Sequence, residues 1–499
     1  MSTKILLISS SFEEESLITA SLKKRQGVKT DDESHYPLGI AYLHAYLETQ
    51  GHEVKTLFLN NHEAEPSFVE AIEVVKDFSP DIIGFQILTA NRISSYKLIE
   101  YFHEQYPNIK LLAGGIHASI MYEQLLKLFP YLIISLGEGE LTFAELSHRL
   151  FEINLDLGTI KGIVYSIDGQ IKKTPPRELI SDLDILPFPK HEIFFHKDRN
   201  TGNLLTTRGC PFNCSFCCLD SISRRKVRYR SVVNIVNEVE WLVKTYPQMT
   251  RIWIHDDTFF LNNQRVIDFC DEIVKRGIKT SFICSGRFKP LSQAMVTKLE
   301  EANFIQVLFG LESGNEEILK KSHKAITRQD AINAFKIFAN SKIDIYAFLI
   351  VGLPGETEAT ILDTAHFIQQ LQRIKYVHYS DTLAILTVYP GTEIYEISKT
   401  AGLINDDYWL TDGPTPVFTV EHSLEELLKY QETLVNHISR DNFFTSSGFR
   451  AQWRMLPYIL KDRNIFKDLS FLILQKLGIF ILVRRIYRAM ILLFRRHSI

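Results

Sequence analysis

Short apolar runs alternate with longer helical patterns over the first 150 residues of this 499-residue chain, and the alternation resumes near residue 203. The first runs are residues 5–8, 54–59, 82–87, 110–113 and 132–136, with helical stretches such as 38–50 and 94–105 between them. Pro37 stands where a helix tolerates proline at its start, and Gly51 stands just past the end. Buried apolar strands separated by helices dictate a doubly wound parallel sheet, which binds ligands at the carboxyl ends of its strands. The loops there are residues 9–12, 86–91, 114–119 and 137–140. The second set of runs, 204–207, 251–255, 280–284, 305–309, 345–351 and 382–386, gives six strands in order. That number suits an open, partial α/β barrel better than a closed eight-stranded one. The expected organisation is α/β: a doubly wound domain over 1–155, a linker with a β-hairpin over 156–195, a partial barrel over 196–400, and a mainly helical region over 401–499. The hairpin is read from Asp168-Gly169 between two apolar runs, and the linker from Pro175, Pro176, Pro187 and Pro189.

At 45% hydrophobic and 23% charged residues the composition is globular, and the length argues for two or more domains. A net charge of −3 gives no drive toward nucleic acid, and none is expected as a partner. The N-terminus lacks the long apolar stretch and cleavage site of a signal peptide, so a cytoplasmic protein is expected. Four of the 6 cysteines lie within nine residues, Cys210, Cys214, Cys217 and Cys218, while Cys270 and Cys284 stand alone. A disulfide framework would spread its cysteines, so the clustering points to a metal or cluster site in a reducing compartment.

Residues 207–218 read TRGCPFNCSFCC and follow the first strand of the second domain. Cys210, Cys214 and Cys217 have the spacing C-x3-C-x2-C. Three thiolates can hold three irons of a cubane and leave the fourth open to a ligand. Structural zinc usually takes a second C-x2-C pair or matched histidines, and no second pair exists here. Cys218 reads as a packed thiol rather than a fourth ligand.

With Phe216 before the last cysteine, the segment resembles the signature of the radical S-adenosylmethionine superfamily. The resemblance implies a [4Fe–4S] cluster, S-adenosyl-L-methionine chelated to the open iron, and a 5′-deoxyadenosyl radical that abstracts hydrogen from substrate. It implies S-adenosylmethionine contacts at Phe216, at Asp256 and Asp257 after the second strand, at Glu312 after the fourth and at Gly352 after the fifth. The commoner Gly-Gly-Glu form is absent at Asp256-Asp257. Each of these alone also reads as a strand-end turn with a helix cap.

Residues 36–47 (YPLGIAYLHAYL), Gly114-Gly115-Ile116-His117, Gly137-Glu138-Gly139-Glu140 and the linker LDILPFP at 183–189 resemble the cobalamin-binding domain that precedes many such barrels. The resemblance implies cobalamin contacts at Pro37, Leu38, Gly39, Gly114, Gly115, His117, Gly137 and Glu138. His117 reads equally as a contact to the corrin and as a histidine bound only to water or backbone. No D-x-H-x-x-G triad surrounds His35, so no lower cobalt ligand is supplied in that manner. A degenerate sheet that has lost its corrinoid is the competing reading.

Residues 466–499 are apolar and basic, without the ~18 uninterrupted apolar residues of a spanning helix. As a helix, residues 484–496 would gather Arg484, Arg485, Arg488, Arg495 and Arg496 on about one third of the circumference. Such a helix suits peripheral contact with the inner membrane face, or packing on the barrel or a second subunit. The family resemblance implies methyl transfer to an unactivated carbon of a small-molecule or hydrophobic, lipid-like substrate, with an external electron donor such as flavodoxin or ferredoxin. A ring-forming or oxidative radical enzyme is the alternative. A tRNA-modifying radical enzyme would carry extra N-terminal cysteines and a basic RNA module, and a corrinoid sensor would not need the cysteine triad.

Overall fold

The computed structural model describes residues 2–12, 37–60, 63–193, 200–379 and 383–442. The basic tail at 466–499 and His35 lie outside the described residues.

The first sheet is built from β1 (Lys4–Ser9), β2 (Glu53–Phe58), β3 (Ile82–Gln86), β4 (Lys110–Gly114) and β5 (Ile133–Ser135), all parallel, in the order β2-β1-β3-β4-β5. Helices α1 (Leu38–Thr49), α2 (Ala64–Phe78), α3 (Arg92–Gln105), α4 (Ile116–Ile120), α5 (Tyr122–Leu128) and α6 (Glu140–Arg149) cover its faces. Ile5, Leu6, Leu7 and Ile8 are all sealed from water, because a central parallel strand is covered on both faces. The chain reverses direction across the sheet between β1 and β3, the place where such sheets take ligands.

The hairpin expected in the linker is not free-standing. Its strands β6 (Ile163–Ile167) and β7 (Gln170–Lys173) extend the first sheet antiparallel beyond β5. Tyr165 and Val164 pair with Ile133 and Ile134, so the hairpin covers an edge that would otherwise be left open.

The second sheet runs β15-β14-β13-β12-β11-β8, with every pairing parallel. Its strands are β8 (Thr201–Leu204), β11 (Arg251–Ile254), β12 (Ser281–Gly286), β13 (Phe304–Glu312), β14 (Asp344–Val351) and β15 (Val377–His378). A two-residue strand β16 (Ala384–Ile385), inside the expected sixth run, pairs with β14. The first run ends earlier than expected, and Thr207–Arg208 instead forms β9, paired antiparallel with β10 (Arg228–Tyr229). The outer helices are α7 (Asp220–Ser223), α8 (Val232–Thr245), α9 (Asn263–Lys275), α10 (Gln293–Glu301), α11 (Glu316–Lys321), α12 (Arg328–Phe338) and α13 (Glu358–Ile374), followed by α14 (Glu393–Thr400) and α15 (Leu424–Asn442).

Neither face of the first sheet is completed by its own residues alone. On one face Ile180, Leu183 and Leu186 of the linker join α1 and α6 in the core. On the other, Leu386, Val388, Tyr395, Trp409 and Phe418 join α2, α3 and α5. Trp409 is fully buried, its indole N–H donates to the Tyr395 hydroxyl at 2.9 Å, and the Arg92 guanidinium lies 5.1 Å from its ring. The first sheet and the barrel therefore share a core and meet with their carboxyl ends close together.

Candidate active site

The cysteine loop leaves β9 and is pinned from three directions. The Gly209 N–H donates to Asp257 Oδ2 at 3.0 Å, the Ser215 N–H donates to the Ser322 carbonyl at 3.0 Å, and the Cys217 N–H donates to the Cys214 carbonyl at 3.0 Å. Burial pushes the Cys210 and Cys217 thiols up, and charge on Cys214 adds to both shifts. Cys214 thus lies within electrostatic reach of both Cys210 and Cys217. Among the described residues, no three Cys, His, Asp or Glu side chains converge at metal-bonding spacing. The donor set itself, three thiols in one short loop, matches what a [4Fe–4S] cluster with one open iron requires. Cys218 is pushed up to about 11 by burial and then by Cys217, which keeps it a neutral thiol.

The strand-end residues divide by role. Asp257 is open to solvent yet surrounded by protein, and burial pushes its carboxyl up to about 6. Its Oδ1 has no hydrogen-bond partner among the described residues, so it can accept a hydrogen bond from an ammonium group. Asp256 does not share this role. It is buried, and its carboxylate accepts from the Thr206 N–H at 2.6 Å, the Thr207 N–H at 3.0 Å and the Thr206 hydroxyl. A carboxylate satisfied three times by one turn fixes the path into the cysteine loop. Glu312 sits at φ +63 in a buried ion pair with Lys324 at 2.6 Å, so its charge is already answered within the protein. Gly352, at φ +94, donates its N–H to the buried Glu356 carboxylate at 2.5 Å and packs against Leu427. Burial pushes Glu356 up to about 7. Phe216 is half-buried, with the Lys324 ammonium 5.8 Å from its ring.

Two cations beside the loop carry no sequence signature. Arg287 follows β12, stacks 3.6 Å over the Phe212 ring and donates to the Lys324 carbonyl. The charges of Arg287 and Lys324 oppose the upward shifts at Cys210 and Cys217 respectively. Arg287 lies at a strand's carboxyl end, where the rule that places chemistry in α/β barrels would have found it. Lys324 lies in the loop after α11, and no pattern marks it.

The carboxyl end of the first sheet has a different character. Asn60 Oδ1, Ser9 Oγ, Gln86 Oε1 and Ser135 Oγ are buried without a hydrogen-bond partner among the described residues. They belong to the ends of β2, β1, β3 and β5, with Gly114 closing β4 between the last two. Buried polar atoms are normally satisfied, so this row fits a large neutral ligand with many amide groups, as cobalamin is. Gly137, at φ +75, faces open space, and its N–H donates to the Ser119 hydroxyl at 3.1 Å. Pro37 precedes α1, Leu38 is buried in the core and Gly39 is exposed above the Gln86 amide.

Three other expected contacts are used by the protein itself. His117 is buried between the Thr89 hydroxyl at 3.1 Å and the Tyr96 hydroxyl at 3.2 Å, with the Trp409 ring edge-on at 5.6 Å. Burial pushes it down to about 3, so it is a neutral core histidine with both ring nitrogens occupied. Gly115, at φ +94, lets β4 approach β3: a Cβ there would lie 2.7 Å from the Ile87 carbonyl oxygen. Glu138 binds Arg228 at 2.7 Å and Arg208 at 3.1 Å, and accepts from the Ile180 N–H at 3.1 Å. Burial would raise its carboxyl, but the two guanidinium groups hold it below the usual range. Arg208 also binds Glu140 at 2.7 Å. These ion pairs tie the loop after β5 to β9 and β10, beside the cysteines.

Two α/β sheets meeting at their carboxyl ends, the second an open barrel with a C-x3-C-x2-C loop at its mouth, define a radical S-adenosylmethionine enzyme with a cobalamin-binding domain. The family model of the Radical SAM superfamily matches residues 204–368, and that of the B12 binding domain matches residues 27–147. An uncharacterized methyltransferase of Pyrococcus horikoshii is 30% identical over 397 residues, covering 78% of this chain and 84% of that one. The anaerobic magnesium-protoporphyrin IX monomethyl ester cyclase of Rubrivivax gelatinosus is 28% identical over 341 residues, covering 66% and 61%. The solved radical S-adenosylmethionine methyltransferase TsrM of Kitasatospora setae shares the fold, with a TM-score of 0.65 at 18% identity over 87% of this chain and 83% of that one. The chain belongs to the cobalamin-binding radical S-adenosylmethionine enzymes, and its cofactors are those of the family. Among the described residues no helix is long and apolar enough to cross a membrane.

Proposed function

We propose that the chain transfers a methyl group to an unactivated carbon of a small, largely apolar molecule. The observation that carries the reading is the juxtaposition of a three-thiol loop with the row of polar atoms on the facing sheet that have no partner among the described residues. Cys210, Cys214 and Cys217 would hold a [4Fe–4S] cluster, and the carboxyl ends of β1, β3, β4 and β5 would hold cobalamin. Bound together, these groups supply reductive cleavage of S-adenosylmethionine and a carrier for the methyl group. Asp257 would accept from the amino group of S-adenosylmethionine, while Asp256 and Glu312 hold the surrounding backbone and charge in place.

The concave face of the barrel supports an apolar substrate. On β11 and β14 the residues facing the helices are Ile252, Ile254, Ile345, Ala347, Leu349 and Val351. Alternation therefore turns Trp253, His255, Tyr346 and Phe348 inward. Trp253 stacks on His255 at 5.2 Å, and Phe348 is 43% exposed beside Tyr346. Similarity to the cyclase favours one second reading, ring formation or oxidation without methyl transfer.

The test is anaerobic turnover of the reconstituted enzyme with S-adenosylmethionine deuterated in its methyl group, using a panel of apolar substrates. Release of both 5′-deoxyadenosine and S-adenosylhomocysteine, with deuterium in the product, is the expected result. 5′-Deoxyadenosine alone, with unlabelled product, would select the second reading.

A further inference from the structure

The cysteine loop continues directly into an exposed basic turn that folds back onto its own start. The Ser221 N–H donates to the Cys218 carbonyl at 3.1 Å as α7 begins. After α7 come Arg224, Arg225 and Lys226, all exposed. The chain then returns so closely to Gly209, the neighbour of Cys210, that a Cβ there would collide with the Lys226 carbonyl oxygen. β10 next pairs with β9 and closes the circuit. The three basic residues thus form the outer wall of the loop expected to hold the cluster.

Their conformation and company hold the charge outward. Arg224 and Arg225 adopt φ of +51 and +56, a region that L residues seldom enter and rarely enter in succession. The Arg224 guanidinium donates to the Arg177 carbonyl at 3.3 Å, which uses no negative charge. Arg225 pairs with Asp220 at 3.0 Å, both side chains being largely in water at 52% and 41% exposure. Lys226 has no carboxylate partner among the described residues. Tyr229 is 38% exposed beside the turn, with Arg265 5.0 Å over its ring. In a chain of net charge −3, such a patch does not reflect a basic surface in general.

We infer that this turn is the docking surface for a small protein of acidic surface that delivers one electron at a time. The inference rests on the proposed cluster at Cys210, Cys214 and Cys217. The step is a single electron passing from the carrier's reduced group to the oxidised cluster, with no bond made or broken. Opposite charge steers such a carrier to the turn and orients it against the loop, and Tyr229 supplies the aromatic contact that a transient interface favours.

The experiment uses the reconstituted full chain and a purified acidic flavodoxin reduced beforehand, with cluster reduction followed by loss of visible absorbance. Wild type is compared with the triple variant Arg224→Glu, Arg225→Glu, Lys226→Glu. A control carries Lys244→Glu at the C-terminal end of α8, where the helix has run back to the far end of the barrel. Each is also reduced with dithionite, which needs no docking. The expected result is a triple variant slower by about ten-fold or more with flavodoxin at low salt, a wild-type rate that falls toward it as salt rises, and equal rates with dithionite. The control should behave as wild type. If the triple variant loses iron, Lys226→Glu alone carries the comparison. Flavodoxin reducing the variant as fast as wild type, while dithionite reduces both, overturns the docking surface alone. Wild type that holds no iron overturns the parent reading and this one with it.

Discussion

The carboxyl ends of the two sheets face each other, yet they are built from different chemistry. On the first sheet the strand ends carry Gly114 and four uncharged side chains, Ser9, Asn60, Gln86 and Ser135, whose buried oxygens have no partner among the described residues. On the barrel they carry thiols, Asp257, the Glu312–Lys324 pair, Arg287 and Glu356. Neutral donors and acceptors suit a bulky ligand recognised by shape and amide contacts. Charged groups in a recess suit a site where electrons and protons move. Between them lies a third kind of chemistry, the buried ion pairs of Glu138 and Glu140 with Arg208 and Arg228, which bind one end to the other.

The largest effect should come from breaking the charged end. Changing Cys210, Cys214 and Cys217 to Ala should abolish iron binding and S-adenosylmethionine cleavage while leaving cobalamin bound, measured by metal content and 5′-deoxyadenosine release. Next is the junction. Glu138→Ala leaves buried Arg228 without a carboxylate and Arg208 with Glu140 alone, and should cost about 3–5 kcal/mol, read as a fall in thermal midpoint. An unchanged midpoint would mean that the two ends are not held together there.

Breaking the neutral end should be milder. Gly115→Val forces a β-branched residue into φ +94 against the Ile87 carbonyl, at a cost of about 1–3 kcal/mol. The β4 loop should shift, cobalamin retention should fall and iron content should stay. Loss of iron as well would erase the distinction between the ends.

The smallest effect sharpens the contrast through pH. Glu356 is raised from 4.5 to about 7 by burial, so the fold favours its protonated form. Its contribution to stability is fully present below about pH 4.5 and is lost as pH rises through about 7. Glu356→Gln keeps an acceptor for the Gly352 N–H without the titration. The variant should gain on wild type by about 1–3 kcal/mol between pH 5 and pH 8 in paired thermal melts. An equal gap at both pH values would contradict the assignment.

Much of the frame was legible because it rests on periodicity. The runs at 5–8, 82–87 and 110–113 are mainly apolar without alternation, as strands covered on both faces are. The apolar run at 204–207 likewise puts the cysteines in a loop after a strand, and the loop leaves β9 at Thr207–Arg208. What misled was local reading of residues whose partners are distant in sequence. His117 looked like a loop histidine, but Trp409 comes from nearly 300 residues later to bury it. Glu138 looked like part of a glycine-rich ligand loop, yet Arg208 and Arg228 claim its charge. Asp256 and Asp257 are adjacent and chemically identical, and only the burial of one against Thr206 and Thr207 separates a clasp from a binding group. The hairpin at Asp168-Gly169 was visible as a hairpin, but its register on β5 depends on an edge 30 residues away.

The most direct test of two chemically separate ends is a paired count of iron and cobalt per chain after anaerobic reconstitution with cobalamin, in wild type, the triple cysteine variant and Gly115→Val. Wild type should hold about four irons and one cobalt. The cysteine variant should lose iron and keep cobalt, and Gly115→Val should lose cobalt and keep iron. Both metals falling together in either variant, or iron persisting without the three cysteines, would contradict the account.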